Sequence, residues 1–345
     1  MAVETRTIKA DEAGLRLDRW FKAHYPALAF GHLQKLLRTG QVRVDGARAK
    51  TNTRLEPGQK VRVPPLEKSG KPAQAKTGAE DVAAPHVLKE KGSRAKPDDA
   101  TFLKSITLYE DREVMVLNKP MGLAVQGGSG TVRHIDGMLE TLRTRDGVKP
   151  RLVHRIDKDT SGILLIAKTR LAAATLAKSF RSRSARKIYW ALVAGVPKLK
   201  QGRISTYLAK GGGPEGELMR VAKHGEEGAD HAVTYYAVVE NAANLVSWLS
   251  LKPVTGRTHQ LRAHAAHMGH PIVGDPKYFD IENWELPGGI QKRLHLLARR
   301  LVLPHPSGKG KIDVTAPLPP HMQQSWNLLG FDAKQYDPIV DAPEE

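Results

Sequence analysis

The sequence predicts an α+β protein: a small α/β module, a flexible linker and a larger domain. Three observations predict it. Apolar residues make up 40% of the 345, enough for a sizeable core. Strand-like and helix-like runs alternate within residues 1–65 and again from Phe102 to about Leu329. Between them, residues 66–100 are rich in Lys, Ala, Gly, Pro and Asp and lack aromatics, so they cannot bury enough surface to offset their chain entropy. The division expected is therefore 1–65, a linker over 66–100, a large domain over 101–330 and a loose acidic tail over 331–345.

The elements follow in order. TRTIKA is extended. Leu15, Leu17, Trp20 and Phe21 mark one helix, and Leu33, Leu36 and Leu37 a second, closed by Gly40. QVRVDGARA is a hairpin turning at Asp45-Gly46, and LEPGQKVRVP adds a turn and a strand. In the large domain, YEDREVMVLNKP gives a turn and then a strand ended by Lys119-Pro120. ILLIA is a buried strand, residues 171–187 a helix with Leu171, Leu176 and Phe180 inward, and Thr258–Met268 a further helix. GGGPEG, residues 211–216, satisfies G-x-G-x-x-G, but Pro214 and the strand-like ELMRV after it indicate a hairpin loop, not a dinucleotide site.

Charge narrows the function. Lys and Arg total 54 against 36 Asp and Glu, a formal net charge of +18, which points to a polyanionic partner. Basic side chains outnumber acidic ones in the first segment, where Lys35 and Arg38 share a helix face and Arg43 lies in the adjoining hairpin, so that an RNA-facing surface is expected. Cysteine is absent, which excludes disulfides, thiol catalysis and thiolate metal sites. No stretch approaches the ~18 consecutive apolar residues of a membrane span. The start, with Glu4, Asp11 and Glu12, has no signal-peptide core, so a cytoplasmic protein is expected.

Three clusters in the large domain can carry chemistry. Residues 106–130 end in a Gly-rich loop without Walker spacing. Residues 152–169 place the polar island HRIDKDTSG, with Arg155 and Asp157, ahead of the buried strand. DKDTSG imitates the start of a calcium loop, but its twelfth position is Lys168, which defeats that reading. Asp157 either caps a turn or does chemistry. Residues 251–275 carry His259, His264, His267 and His270 without a completing acid, so no metal is expected. Arg257 and Arg262 are the better candidates there, since a guanidinium grips carboxylate or phosphate.

Together the clusters resemble the RluA-type pseudouridine synthases. The resemblance lies in E-D-x-x-x-x-V-L-N-K-P-x-G at Glu110–Gly122, H-R-I-D-K-D-T-S-G at His154–Gly162, K-I-Y-W-A-L-V-A-G at Lys187–Gly195 and T-G-R-T-H-Q-L-R-A-H…G-H-P-I-V-G-D at Thr255–Asp275. Ile156 departs from the commoner Leu. The first segment resembles the S-four-type RNA-binding module through R-L-D-R-W at Arg16–Trp20, His32–Gly46 and P-G-Q-K-V-R-V. With N-K-P-M-G-L-A-V-Q-G-G-S-G at Asn118–Gly130, the arrangement is similar to the RluC-like branch acting on large-subunit ribosomal RNA.

The resemblance implies a mostly antiparallel mixed sheet flanked by helices, and the isomerisation of a flipped-out uridine without any cofactor. It implies Asp157 acting on the glycosidic bond, Arg262 holding that carboxylate, Tyr189 stacking on the base and assisting the final proton removal, and Arg155 filling the gap left by the extruded nucleotide. Arg257, Lys35, Arg38 and Arg43 are expected to contact RNA. The same chemistry on transfer RNA, a non-catalytic RNA-binding or ribosome-assembly protein, and a phosphate- or metal-dependent hydrolase are the rival readings. Nothing in the sequence demands more than a monomer.

Overall fold

A computed structural model describes residues 3–66 and 98–343, except 10, 11, 13, 27, 29, 128–130, 132, 212–217, 282, 283 and 286. The chain divides into two compact units, residues 1–86 and 87–345. The expected linker falls on 67–97, outside the described residues, for most of its length.

The first unit comprises β1 (Glu4–Thr7), α1 (Leu17–His24), α2 (Phe30–Arg38), β2 (Arg43–Val44), β3 (Ala47–Arg48) and β4 (Lys60–Val63). The four strands form a sheet in the order β1-β4-β2-β3. Asp45 and Gly46 take φ of 48° and 78°, the left-handed pair that a two-residue hairpin turn requires. Leu17, Trp20 and Phe21 of α1 and Leu33, Leu36 and Leu37 of α2 bury their faces with Val44, Val61 and Val63 of the sheet. Leu15, expected in the first helix, precedes it and is exposed.

The second unit opens with α3 (Asp98–Ser105), β5 (Thr107–Glu110), β6 (Val114–Lys119), the single turn α4 (Ile135–Met138), β7 (Arg151–Leu152), β8 (Ser161–Ala167) and α5 (Arg170–Arg181). It continues with β9 (Arg186–Ala194), β10 (Gln201–Lys210), β11 (Met219–Ala222), β12 (Asp230–Ala242) and β13 (Val246–Pro253). It closes with α6 (Gln260–His267), β14 (Leu296–Pro304), β15 (Lys311–Thr315) and α7 (Pro320–Leu329). An 11-stranded sheet runs β11-β10-β12-β13-β9-β14-β8-β6-β5, with β15 on β14 and β7 on β8. Among the described residues, β14 and β8 are the one parallel pair of strands in it, so the sheet is mixed and mostly antiparallel, as expected.

Both faces of the sheet are covered. Along β9 and β13, Ile188, Trp190, Leu192, Val246 and Trp248 enter the larger core, whereas Ala191, Val193, Leu249 and Leu251 enter a second core under Leu261 and Ala265 of α6. That alternation is the two-residue period of a strand. β8, covered on both sides, is buried throughout. Gly162 is required where β8 meets β14: its φ is +103° and a Cβ there would lie 2.3 Å from the Ala298 carbonyl oxygen.

Several expectations need correction. Residues 98–100, assigned to the linker, start α3, where Asp99 is buried and accepts a 3.0 Å hydrogen bond from Arg133. The helix expected over 171–187 ends at Arg181, because ladder bonds to β13 and β14 claim the chain from Arg186 onward. Leu171 points outward at 72% exposure, while Leu176 is buried. The helix expected over 258–268 spans Gln260–His267. The acidic tail is not loose. Phe331 packs on Trp248 and Trp326, and Ile339 is buried. Asp337 accepts hydrogen bonds from Trp190 Nε1 (2.9 Å) and Ser250 Oγ (2.7 Å). Lys252 Nζ donates to the carbonyls of Ala342 and Pro343. Donors on β9 and β13 thus hold Asp337 and the backbone of the tail, partners that composition alone does not reveal.

Burial holds three histidines of this unit neutral: His264 and His295 are lowered to about 4 and His154 to about 3. Their stabilising contribution is whole above the unfolded value of ~6.5 and is lost as pH falls through that value toward the folded one, because the unfolded chain takes up the protons first. His264→Asn should therefore flatten the slope of unfolding free energy between about pH 6 and pH 4.5 by up to ~1.4 kcal/mol per pH unit, one proton's worth. Chemical denaturation across that range measures it; an unchanged slope would contradict the buried neutral form.

Candidate active site

Asp157 sits on the loop between β7 and β8, and that loop is anchored at several points. His154 Nε2 accepts from the Leu165 backbone N–H at 2.8 Å, and its ring stacks on Phe180 at 4.7 Å. The Lys158 carbonyl accepts from Gly122 N (3.0 Å) and from Lys119 Nζ (2.8 Å). Lys119, fully buried, also donates to the carbonyls of Pro120 and Leu123, so one ammonium joins the loop after β6 to the loop bearing Asp157. Burial pulls Lys119 down to about 7, against the opposing charges of Asp159 and Asp157. The sequence marks Lys119 only as a strand end. The sign of its role is a lysine ending a strand, two residues after the apolar run Val114–Leu117, where a stem must be buried with its head.

The half-buried Asp157 opens on a cavity of about 640 Å³ that Tyr189, Arg155, Arg257 and Arg262 also line. Arg181, Arg183 and Lys187 complete the set, making six cations against a single carboxylate. Such a wall recognises an anion running past one acid. Tyr189 reaches it from β9, in register with Leu251 of β13 and Ala298 of β14. Burial first, then the Asp157 charge, pushes its phenol well above the ordinary range, so it is a neutral donor and a stacking surface. Lys187, two residues earlier on the same strand face, is lowered to about 8 by burial and by Arg183. That spacing is the signal by which Lys187 could have been found beside Tyr189.

Arg262 comes from the first turn of α6 and is 1% exposed. Its Nε and Nη2 donate to the two carboxylate oxygens of Asp275 at 2.7 and 2.6 Å, and its guanidinium lies 5.1 Å from the Tyr278 ring centroid. Burial works against its charge, but the hydrogen bonds and charge of Asp275, with a further push from Asp157, leave its pKa raised. Its hydrogen-bonded partner is thus Asp275, and its charge also reaches Asp157. Arg155 is exposed, with Nη2 3.5 Å from Thr258 Oγ1. Arg257 pairs with Asp230 at 3.2 Å and donates to the His231 carbonyl, which ties it to the start of β12.

His259 also lines the cavity, a position that the sequence weighed only for metal. It takes left-handed φ and ψ of 50° and 18° ahead of α6, and its Nδ1 lies 3.0 Å from Tyr278 Oη. A non-glycine residue held there costs of order 1 kcal/mol and is a mark of functional sites. Burial lowers its pKa, with Asp157 opposing. The other histidines diverge: His264 bonds the hydroxyls of Thr206 and Thr234, and His270 the Ala194 carbonyl. Among the described residues, no group of three His, Cys, Asp or Glu could hold a metal ion.

Residues 113–267 match the model of the RNA pseudouridylate synthase family. The ribosomal large subunit pseudouridine synthase C of Vibrio cholerae is 35% identical, over 92% of this chain and 94% of its own length. The protein of the same name from Escherichia coli K12 is 34% identical, over 92% of this chain and 95% of its own. Among solved structures, human RNA pseudouridylate synthase domain containing 4 aligns with a TM-score of 0.55 and 28% identity, covering 68% of this chain and 96% of that one. The chain belongs to the RNA pseudouridylate synthase family, within its RluA branch, and is an isomerase.

In the first unit, Arg16, Lys35, Arg38, Arg48 and Lys50 line one groove. Arg43 is not among them; its guanidinium is turned to the carbonyls of Gly40 and Gly46 at its own hairpin. Among the described residues, no helix is long and apolar enough to cross a membrane.

Proposed function

We propose that the protein converts uridine to pseudouridine in large-subunit ribosomal RNA in the cytoplasm, with Asp157 as the catalytic carboxylate. The observation that carries the reading is a lone carboxylate facing six cations in a cavity that also holds a half-buried tyrosine. The names of the relatives support the substrate. The cationic wall grips the phosphates on either side of an extruded uridine, since the bond to be cut is hidden within a stacked helix. Asp157 acts at the ribose, either attacking C1′ or removing a proton to expel the base. The N1–C1′ bond breaks, the uracil turns and a C5–C1′ bond forms. The proton then leaves C5 and N1 ends protonated, so atoms and electrons balance without a cofactor.

Tyr189 stacks on the turning base and donates a hydrogen bond through its neutral hydroxyl. Arg262, held by Asp275, keeps positive charge facing Asp157, and Arg155 takes the place of the extruded nucleotide. Incubating the purified protein with a large-subunit ribosomal RNA transcript and mapping pseudouridines tests the substrate. One or a few discrete sites are expected; a transcript left unmodified while transfer RNA given to the same enzyme is modified would overturn it.

The same reading takes residues 101–330 as the catalytic domain and the first unit as an RNA-binding module that uses the Lys35–Arg38 groove. Lys35→Glu with Arg38→Glu should weaken RNA binding and lower the slope of log K against log salt by about 2, the two phosphate contacts removed. An unchanged slope would remove the groove from the interface.

A further inference from the structure

A second cavity, about 700 Å³, backs onto the first. The two share a wall. Asp157 and Thr160 line one and Asp159 the other; Arg262 lines one and its partner Asp275 the other. The second cavity has a different chemistry. Phe279 and Trp284, with ring centroids 4.8 Å apart and planes tilted by 55°, form an aromatic corner beside the aliphatic Met121 and Leu294. Lys292 and Arg293 stand at the same cavity, and Asp159 supplies a carboxylate. Aromatic faces with cations alongside are what a single nucleotide requires, a plane for the base and charge for the phosphate. The volume lies in the range of small-molecule sites.

Resting on the pseudouridine synthase reading, we propose that this cavity binds a second unstacked nucleotide of the substrate RNA, adjacent to the target uridine. Its base stacks on Trp284 with the tilted Phe279 ring against its edge, and its phosphate meets Lys292 and Arg293. A carboxylate only accepts hydrogen bonds, so Asp159 favours a base edge that presents an N–H donor: the exocyclic amino group of adenine, cytosine or guanine, or the N3–H of uracil. The first cavity holds the reacting uridine whatever its neighbours; the second makes the enzyme read one of them.

The test uses the full chain and a large-subunit ribosomal RNA transcript whose modified uridine has been mapped, under single-turnover conditions. Trp284→Ala should weaken apparent RNA affinity roughly 5- to 100-fold, the range of a lost base–aromatic stack, and leave the rate at saturating RNA within about 2-fold. Lys292→Ala should shift affinity in the same direction by a smaller factor. Trp284→Phe, which keeps a stacking face, should restore most of the affinity; if it does not, stacking is not the interaction. An abasic nucleotide at one flanking position should reproduce the Trp284→Ala loss in the intact protein and add nothing in the variant. Additive losses would overturn the proposal, as would unchanged affinity in Trp284→Ala. An intact protein that modifies no RNA would overturn the underlying function instead, and RNA affinity measured with the same variants would still decide whether the cavity holds a nucleotide.

Discussion

Asp157→Asn is expected to lower pseudouridine formation by at least about 10³-fold, or ~4 kcal/mol of transition-state stabilisation, with RNA affinity changed by less than about 3-fold. The asparagine is nearly isosteric, so the cavity keeps its shape and its six cations. It can neither attack C1′ as a carboxylate does nor take a proton. Affinity should hold because it comes from the cationic wall; removing the one negative charge facing phosphates can even strengthen it slightly. Quantifying pseudouridine in single turnover, alongside filter binding, separates the two effects. Activity within tenfold of the parent would remove Asp157 from the chemistry. Equal losses of rate and affinity would instead make it a positioning group for RNA.

Much of this site is legible in the sequence because its parts are local. HRIDKDTSG holds the acid on a polar loop before a buried strand, whereas the tyrosine of KIY, at the head of a continuously apolar run, is found only through the family resemblance. The small sheet of the first unit is equally plain, because the Asp45-Gly46 turn sets its hairpin register. What the sequence does not show is partnership across the fold. Arg262 reads as a free cation until the turn after α6 returns Asp275 to it. Arg257 reads as a phosphate contact until β12 presents Asp230. The tail reads as loose because acidic composition says nothing of a Trp190 donor 147 residues earlier in the chain. Lys119 and His259 escape notice for a related reason. A buried ammonium and a left-handed histidine are each unfavourable alone, and become tenable only through carbonyls and a tyrosine brought in from elsewhere.

The dependence of Arg262 on Asp275 leads to the second large effect, and its cost falls on stability as well as rate. Both side chains are essentially solvent-free, 2% and 0% exposed. The pair is bidentate, and Asp275 Oδ1 additionally accepts from the Lys277 backbone N–H at 2.9 Å, which shapes the turn after α6. Asp275→Ala leaves a buried guanidinium without its counter-charge, so a loss of roughly 3–5 kcal/mol in unfolding free energy is expected. Asp275→Asn keeps a hydrogen-bond acceptor and the turn but not the charge, and should cost less. The two variants therefore separate folding from chemistry. If Arg262 serves the reaction only when Asp275 holds it in place, Asp275→Asn should reduce the single-turnover rate about 10-fold or more at a temperature where it remains folded, with RNA affinity little altered. Removing both charges at once, with Arg262→Met and Asp275→Leu, should recover much of the stability lost in Asp275→Ala, because a buried ion pair and an apolar pair of similar volume are often nearly equivalent. That double variant should remain inactive. Recovery of activity together with stability would show that the ion pair serves the fold alone, and that Asp157 needs no positive charge beside it.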